Sequence, residues 1–375
     1  MAGNMAQAFG IVTSSGSRIY VDGMQDYRPI GAFSFLGRYR VVDFPVSNLS
    51  NSGIDRIQVY VSQNPRSLAE HLNNGRTYNI NPKHGKLQLL FNQDSRVNNI
   101  YNTDIRAYMD NMDQIEHMPF PYVVIVPGYT VFRQDFHKLL QDHIDSGADI
   151  TFLYHKTDRA KTNYRGLRVI TLNRQKGVKT IERNLGNNTE ANIYMGTCVM
   201  KKDLFVSLVK KAAATSSIMS LSDIINKENE DLDIRAVQHK GYFASITDLK
   251  SYFEANLELL DLEKTQELIS DDWPIYTVTT DSCPVEYFKG SKIVNSMVAN
   301  GCQIYGQVEN SVIGRGVIIA QDAVVKNCVV LGHSVIGRGV HLENQIVDKW
   351  ARISDGTEII AAPDLPGYIR RNDVL

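Results

Sequence analysis

Short apolar runs alternate with amphipathic stretches over the first 250 residues of the chain. The apolar runs predict strands that are buried on both faces, at residues 9–12, 57–62, 122–128 and 148–156. Between them, apolar positions at helical spacing predict helices at residues 65–73, 102–115 and 136–147. Strands that alternate with helices indicate βαβ units, so we expect a doubly wound α/β domain with a mostly parallel sheet.

A helix and a linker follow this domain. Residues 251–269 carry apolar side chains at three- and four-residue spacing, which predicts a helix. Pro274 and Pro284 mark the linker behind it. We therefore divide the chain into a first domain at 1–250, a helix and linker at 251–289, and a last domain at 290–375.

The last domain repeats a short theme of small polar residues, paired aliphatic residues and glycine. Aliphatic or small residues recur six positions apart at Val317, Ala323, Val329 and Val335. A longer repeat of 17 residues relates Ile313, Val330 and Val347. Because three hexads make about one triangular coil, the pattern predicts a parallel β-helix with one inward aliphatic residue on each face. An antiparallel β-sandwich with chance repeats is the alternative.

The composition narrows the class of protein. A length of 375 residues suits two domains, and a charged fraction of 22% is that of a soluble globular protein. The formal net charge of −1 argues against nucleic acid or an acidic membrane surface as a partner. The four cysteines form no CxxC pair, and no signal peptide or membrane-spanning apolar run is visible. We expect a cytoplasmic protein.

One segment identifies a protein family more specifically than the repeat spacing does. Residues 37–54 read GRYRVVDFPVSNLSNSGI, which closely resembles the signature of ADP-glucose pyrophosphorylases, the glucose-1-phosphate adenylyltransferases. Three further segments resemble that family in chain order: NIYMGTCVM at 192–200, SYFEANLELL at 251–260 and WPIYT at 273–277. The resemblance implies a Rossmann-like nucleotidyltransferase domain, a left-handed parallel β-helix and a tetramer. The family converts ATP and glucose 1-phosphate to ADP-glucose and pyrophosphate.

Both metal ligands of that family are replaced in this chain. Adenylyl transfer needs carboxylates that hold Mg²⁺ against the phosphates. The motif that carries the first aspartate reads IVPGYTVF, which puts Tyr129 at its position. Ser245, in YFASITD, takes the place of the second. Neither a phenol nor a serine hydroxyl is a good magnesium ligand at neutral pH.

The binding motifs are also degenerate. In the loop after the first strand, serines replace two family glycines, and the resemblance leaves Ser14, Ser15, Gly16 and Arg18 as remnant phosphate-binding residues. Gln63 and Thr103 are further remnant nucleotide-binding positions, the latter in NTDIR where the family has an adenine-contacting motif. The sugar-phosphate motif is reduced to Glu182 and Arg183, followed by Asn184. A lysine of the family falls on Ile30, and the nearest cation is Arg28.

Other candidates have two interpretations each. Arg38 and Arg40 belong to a region near which the family binds anionic effectors, but Arg40 also suits a structural role that braces Asp43. His333 sits where hexapeptide acyltransferases carry a general base, although a solvent-facing side chain is the ordinary explanation. Arg370 and Arg371 are expected to be solvated.

These departures resemble the GlgD-type, non-catalytic subunits of bacterial ADP-glucose pyrophosphorylases. The resemblance implies a regulatory subunit in glycogen synthesis, without a metal cofactor, that joins a catalytic paralogue in a homo- or hetero-tetramer and responds to a small anionic effector. The alternative is a divergent but active sugar-phosphate nucleotidyltransferase, which would bind Mg²⁺ through Asp248 or Asp43. A third hypothesis is a pure scaffold, like the nucleotidyltransferase-related subunits of exchange factors.

Overall fold

A sheet of nine described strands lies at the centre of the first domain. The computed structural model describes residues 7–14, 19–61, 64–91, 101–175 and 177–375. The strands of the first domain, including four in two small ladders outside the main sheet, are β1 Ala8–Thr13, β2 Ser34–Phe35, β3 Tyr39–Arg40, β4 Arg56–Val61, β5 Lys86–Phe91, β6 Tyr122–Pro127, β7 Thr130–Phe132, β8 Ile150–Thr157, β9 Arg168–Leu172, β10 Val178–Arg183, β11 Ala191–Lys201, β12 Ile234–Gln238 and β13 Phe243–Ser245. All four predicted strands are present.

The core of the sheet is parallel. Strands β5, β4, β1 and β6 run side by side in one direction, so that Gly10 pairs with both Ile57 and Val124. Strand β11 then runs antiparallel to β6 and to β8, and β12 pairs with β8 in parallel. A register shift between Tyr194 and Cys198 bends β11, and its first half pairs with β9, which in turn pairs with β10.

Helices cover both faces of this sheet. They are α1 Asp43–Asn51, α2 Arg66–Leu72, α3 Asp104–Asp110, α4 Met112–Glu116, α5 Phe136–Ser146, α6 Lys202–Thr215, α7 Leu221–Lys227, α8 Leu249–Glu258 and α9 Leu262–Leu268, with 3-10 turns at Ile30–Ala32 and Arg76–Tyr78. Neighbouring residues of β1 face opposite cores: Ile11 packs with α3, α4, α6 and α7, and Val12 packs with α1, α2 and α5. The doubly wound α/β prediction is confirmed. Among the described residues, no helix is long and apolar enough to span a lipid bilayer.

Two predicted helices are each broken in two. The segment 102–115 divides at Asn111, whose side-chain amide donates to the Ala107 carbonyl at 3.0 Å and competes with the backbone for it. The segment 251–269 divides at Asp261, whose carboxylate accepts from the Glu263 N–H at 3.0 Å and so begins α9. Apolar spacing alone does not detect such internal caps.

The last domain is a parallel β-helix of three sheets. Its strands are β14 Glu286–Tyr287, β15 Lys292–Val294, β16 Met297–Val298, β17 Gln303–Ile304, β18 Gln307–Glu309, β19 Val312–Ile313, β20 Ile318–Ile319, β21 Val324–Lys326, β22 Val329–Val330, β23 Val335–Ile336, β24 His341–Glu343, β25 Gln345–Val347, β26 Arg352–Ile353, β27 Glu358–Ile360 and β28 Gly367–Ile369. Each sheet takes every third strand, and Ile313 pairs with Val330, which pairs with Val347. The 17-residue coil is therefore confirmed.

The six-residue series holds for only part of a coil. Val317 and Ala323 are buried inside the solenoid, but Val329 packs outward against the first domain and Val335 is only partly buried. A 17-residue coil cannot consist of three full hexads, so one step is five residues and Cys328 takes the inward position. Each coil also needs left-handed corner residues, and asparagine serves at one corner in Asn310, Asn327 and Asn344, with φ of 45°, 48° and 56°.

The solenoid packs against the first domain through one apolar cluster. This cluster contains Val329, Leu331 and Ile346 of the solenoid. Phe33 of the first domain and Tyr252 of α8 belong to the same cluster. His333 lies at another corner, with φ of 64°, and its ring stacks on Trp350 with the centroids 4.3 Å apart. That contact is a packing role for the histidine.

Candidate functional site

A large pocket lies at the carboxyl ends of the parallel strands. It has a volume of about 470 Å³ and begins where β1 and β6 end, at Thr13 and Pro127. In open α/β sheets, this edge is where ligands bind. The first turn of α3, the start of α7, the turn before β9 and the segment between β13 and α8 complete the walls.

The two positions at which the sequence resemblance predicts replaced metal ligands meet in this pocket. Strands β7 and β13 form an antiparallel ladder in which Thr130 pairs with Ser245, and the Ile246 N–H donates to the Tyr129 carbonyl at 2.9 Å. Both Tyr129 and Ser245 line the pocket. Burial raises the pKa of the Tyr129 phenol far above its usual value of 10, so the group stays neutral. The Ser245 hydroxyl is buried and has no hydrogen-bond partner among the residues that the structure describes.

The acidic residues of the pocket are already engaged. Asp248 is the N-cap of α8 and accepts from the Ser251 N–H at 2.7 Å. Asp223 is ion-paired with Arg168 and caps α7. Asp104 accepts from the backbone N–H groups of Leu221 and Ile105, and burial raises its pKa to about 6.

A divalent metal does not fit this set of residues. Within the described ranges, no group of three His, Cys, Asp or Glu residues is arranged to hold a metal ion. Asp43, the other carboxylate considered for a metal, is buried outside the pocket and accepts hydrogen bonds from Tyr78 and from the Arg40 N–H, besides a 2.6 Å contact with His71. The residues of this pocket therefore support no metal-dependent step.

The remnant nucleotide motif is only partly visible. Ser14 lines the pocket. Ser15, Gly16, Arg18 and Gln63 lie outside the described residues. Thr103 also lines the pocket, and its hydroxyl accepts from the Arg106 N–H at 3.2 Å, which makes it the N-cap of α3. That hydroxyl already has a structural role.

The remnant sugar-phosphate motif contributes one side chain to the pocket. Arg183 lines the pocket, whereas Glu182 is exposed and is not part of the lining. Asn184 is buried behind them and its side-chain amide donates to the carbonyls of Ala160 and Tyr164 at 2.9 and 3.0 Å. It fixes the turn that carries Arg165, a second arginine of the lining.

Sequence reasoning missed several lining residues. Arg165 and Arg168 precede and begin β9, Asp104 begins α3, and Tyr108 lies one turn further along that helix. The Thr103–Asp104 pair was a detectable helix-start signal. The two arginines had no such signal, because a charged residue before a strand is usually solvated.

The predicted effector residues lie outside this pocket. The Arg38 guanidinium lies over the Tyr39 ring at 5.7 Å. The Arg40 Nη1 donates to the Ser67 carbonyl at 2.6 Å, and burial lowers the pKa of this guanidinium. The Arg40 backbone N–H also donates to the Asp43 carboxylate. Of the two interpretations that the sequence allowed for Arg40, these contacts support the structural one.

Further cations gather near Arg40, between the two domains. Arg28 is ion-paired with Asp348, yet its Nε and Nη1 are buried and find no partner in the described part of the chain. Burial, together with the nearby charges of Arg40, Arg28 and Arg371, lowers the pKa of Lys349 to about 8. Arg370 is exposed, as the sequence predicts. The same prediction is wrong for Arg371, which is half-buried and has its guanidinium 5.8 Å from the centre of the Tyr27 ring.

Comparison with known proteins agrees with this architecture. Residues 15–261 match the nucleotidyl transferase family, and residues 285–365 match the GlmU-like, C-terminal hexapeptide family. The glycogen biosynthesis protein GlgD of Bacillus subtilis is 26% identical over 97% of this chain and 96% of its own length. A glucose-1-phosphate adenylyltransferase of Pseudothermotoga lettingae is 31% identical over 78% of this chain and 70% of its own. The chain thus belongs to the nucleotidyl transferase family, in the group that contains the glucose-1-phosphate adenylyltransferases and GlgD.

Proposed function

We propose that this chain is a catalytically silent, regulatory subunit that joins a catalytic glucose-1-phosphate adenylyltransferase paralogue in glycogen biosynthesis. One observation carries the proposal: the ladder between β7 and β13 brings a neutral phenol, Tyr129, and a hydroxyl, Ser245, into one pocket, and the sequence resemblance expects metal-binding aspartates at these two positions. Losing one charge-stabilising group commonly costs a hundredfold or more in rate, about 3 kcal/mol. Losing both metal carboxylates removes the cation that polyphosphate chemistry needs.

The rest of the pocket supports a silent site. Asp248 is the carboxylate that the divergent-enzyme alternative needs, but it caps α8 and, among the described residues, belongs to no group of three His, Cys, Asp or Glu residues that could hold a metal ion. Turning Asp248 toward a metal would remove the N-cap of α8, at a cost of about 1 kcal/mol. The divergent-enzyme alternative gains no support from this geometry.

The solenoid supports the proposed assembly of this chain with other subunits. A β-helix buries only a narrow core and functions by stacking on its neighbours. The solenoid exposes a set of large apolar side chains, which comprises Tyr287, Val294, Ile318, Trp350, Ile360 and Leu365. These exposed groups favour burial against other subunits in a homo- or hetero-tetramer.

A small anionic effector fits the cations between the domains. Among the described residues, two buried nitrogens of Arg28 have no partner, and burial together with the neighbouring cations lowers the pKa of Lys349. An anion bound there would satisfy these groups and link the two domains. Regulation would then act through differential binding to two arrangements of the assembly.

The proposal is tested by two assays on the full chain. The purified chain alone, supplied with ATP, Mg²⁺ and glucose 1-phosphate, is expected to show no turnover above background. Co-expressed with a catalytic paralogue, it is expected to co-purify and to change the kinetic parameters of that enzyme. Turnover by the chain alone at an ordinary enzymatic rate would refute the silent site, and co-purification without a kinetic change would favour the pure scaffold.

A further inference from the structure

The three sheets of the solenoid have different surroundings. The sheet of β16, β19, β22, β25 and β28 packs against the first domain. The sheet of β15, β18, β21, β24 and β27 turns charged side chains outward, among them the ion pair of Lys326 with Glu343, as a solvated surface does. The third sheet, of β14, β17, β20, β23 and β26, has the exposed Ile318 at its centre. We call the outer surface of this third sheet the open face.

One row of outward residues crosses the open face, and its two ends carry opposite charges. Strand pairing aligns one residue from each coil, in the order Glu286, Gln303, Ile318, Val335 and Arg352. The next residue on β17, β20, β23 and β26 points into the solenoid core, so this row points outward. Neighbouring strands lie about 4.8 Å apart, which separates Glu286 from Arg352 by about 19 Å.

The charges at the two ends of this row are available to a partner. Glu286 and Arg352 are both exposed. Glu286 accepts a hydrogen bond from the Gln303 Nε2 at 3.2 Å, but among the residues that the structure describes neither Glu286 nor Arg352 takes part in an ion pair. Ile318 and Val335 fill the space between the two charges with aliphatic surface.

Large and small residues alternate ends on the border that precedes this row. Backbone hydrogen bonds between coils align the border residues in the order Pro284, Gly301, Gly316, His333 and Trp350. The large rings therefore belong to the last two coils, and His333 and Trp350 stack with their centroids 4.3 Å apart. The first coils of this border are flat.

The border that follows the row has the opposite order. Its residues are Phe288, Tyr305, Ala320, Gly337 and Ser354. Here the large rings belong to the first two coils, and Phe288 and Tyr305 stack with their centroids 3.9 Å apart. The open face thus carries one aromatic ridge at each end, on opposite borders.

The backbone at Trp350 supports a role for this surface beyond folding. Trp350 has φ of 66° and is 49% exposed. A bulky side chain rarely adopts this left-handed conformation, and residues held in it cluster at functional positions. An exposed tryptophan held in this way suits an interface.

We propose that the open face pairs with the open face of a second copy of this chain, about a two-fold axis that lies between the faces and parallel to the strands. Such an axis reverses the order of the coils in the partner. Glu286 of each protomer then faces the partner's Arg352, which gives two symmetric pairs of opposite charge. The inference rests on the proposed function in one respect, the assembly of the chain into an oligomer.

The same axis matches the ridges to the flat regions. On the first border, His333 and Trp350 meet the partner's Gly301 and Pro284. On the second border, the ring of Tyr305 meets the partner's Gly337. Each ridge therefore enters a surface that small residues leave flat, and the face is complementary to itself in shape as well as in charge.

The charges select this axis over the other two-fold arrangement of the faces. An axis parallel to the solenoid would keep the order of the coils, so that Arg352 would face the partner's Arg352 and Glu286 the partner's Glu286. Like charges brought together in an interface disfavour it.

Sedimentation velocity of the full chain over a range of concentrations tests the pairing. Arg352→Glu and Glu286→Arg each place like charges at both ends of the interface, and each is expected to weaken self-association by roughly a hundredfold or more. If the parent forms a tetramer, each variant is expected to stop at the dimer formed by its other contact. A one-to-one mixture of the two variants restores both pairs of opposite charge and is expected to associate as the parent does.

Two further variants complete the experiment. Trp350→Gly keeps the positive φ, which glycine adopts readily, and removes the ring, so we expect self-association to weaken by roughly tenfold or more. Lys292→Glu is the matched control, because Lys292 is exposed in the same coil as Glu286 but lies on the charged sheet. It is expected to leave self-association unchanged.

Four results would overturn the inference: a parent chain that stays monomeric up to about 100 μM, a charge variant that associates as tightly as the parent, mixed variants that fail to associate, or pairing of this face with a catalytic paralogue alone. A monomeric chain that still changes the kinetics of a catalytic paralogue would leave the silent-subunit proposal standing. Turnover by the chain alone would remove that proposal and leave the pairing intact, so the two failures are distinguishable.

Discussion

The Nη2 of Arg28 donates to the Oδ1 of Asp348 across 2.5 Å, joining the first domain to the solenoid over 320 positions of sequence. Both side chains are almost fully buried. Tyr368 donates to the other carboxylate oxygen at 2.7 Å, and the Lys349 N–H donates to Oδ1 at 2.6 Å, so the carboxylate is well satisfied. A buried ion pair of this kind ties domain packing to one specific arrangement.

Breaking this ion pair should strongly destabilise the chain. Asp348→Asn keeps the side-chain volume but leaves the Arg28 charge buried without its counter-ion, which typically costs about 3–5 kcal/mol. We expect a loss of that size in the free energy of unfolding, measured by urea denaturation. Arg66→Gln breaks the exposed Arg66–Glu70 pair and is the control, with no measurable change expected. Equal effects of the two variants would contradict the structural role of Arg28 and Asp348.

The left-handed corners of the solenoid give a second prediction. Asn327 has φ of 48° at a corner where Asn310 and Asn344 lie one coil away on either side. Asn327→Ala should destabilise the chain by about 1 kcal/mol, because a Cβ disfavours this conformation and alanine lacks the local hydrogen bonding that asparagine offers. Asn327→Gly is the control and should be close to neutral. Thermal unfolding of both variants measures the difference, and an alanine variant as stable as the glycine variant would contradict the prediction.

The sequence predicted the elements whose signal is periodic. The buried strands around Ile11 and Val124 and the 17-residue coil through Ile313, Val330 and Val347 follow from local patterns, and all are present. The outward position of Val329 was not predictable, because it depends on the first domain that packs against that face. Tertiary packing, not the repeat, decides which aliphatic residue of a pair points inward.

Residues of the candidate site could be predicted from the sequence only where a family motif identified their positions. The motif comparison selected Tyr129 and Ser245, and the β7–β13 ladder then brought the two segments together. The roles of Arg165 and Asp104 depend on contacts with residues far away in sequence. The Asp104 bond to the Leu221 N–H, for example, spans 117 positions, and no local pattern encodes it.

Placing carboxylates at Tyr129 and Ser245, the two proposed metal positions, should create a cation site. In the double variant Tyr129→Asp with Ser245→Asp, the antiparallel ladder between β7 and β13 would bring two carboxylates into the pocket. Two buried like charges should lower the melting temperature, and Mg²⁺ should partly restore it because it binds only the folded state. Scanning calorimetry with and without Mg²⁺ measures this effect.

The control for that experiment is Tyr129→Phe with Ser245→Ala, which adds no charge. Its melting temperature should not respond to Mg²⁺, and neither should that of the parent chain. A parent chain that Mg²⁺ stabilises as much as the double aspartate variant would show that other residues hold the cation, and the silent-site interpretation of Tyr129 would fail.

The last prediction concerns pH and Asp104. Folding raises the pKa of this carboxyl from 3.8 to about 6, mainly through burial, against the opposing hydrogen bond from the Leu221 N–H. Between these two pKa values the folded chain binds more protons than the unfolded chain, so the free energy of unfolding falls as the pH rises from about 4 to about 6. Below that window the carboxyl is neutral in both states, and above it the loss is complete.

Asp104→Asn isolates this contribution, because the amide oxygen can still accept from Leu221 but does not titrate. The difference in unfolding free energy between parent and variant should decrease by about 2 kcal/mol from pH 4 to pH 6.5, somewhat less than the full value of the pKa change because part of the side chain faces the pocket. Urea denaturation at several pH values measures it. Asp113→Asn, at an exposed position of α4, is the control and should show no such trend. A parent–variant difference that stays constant across this range would mean that Asp104 is as well solvated as an ordinary carboxylate, and its place in the buried pocket wall would then be wrong.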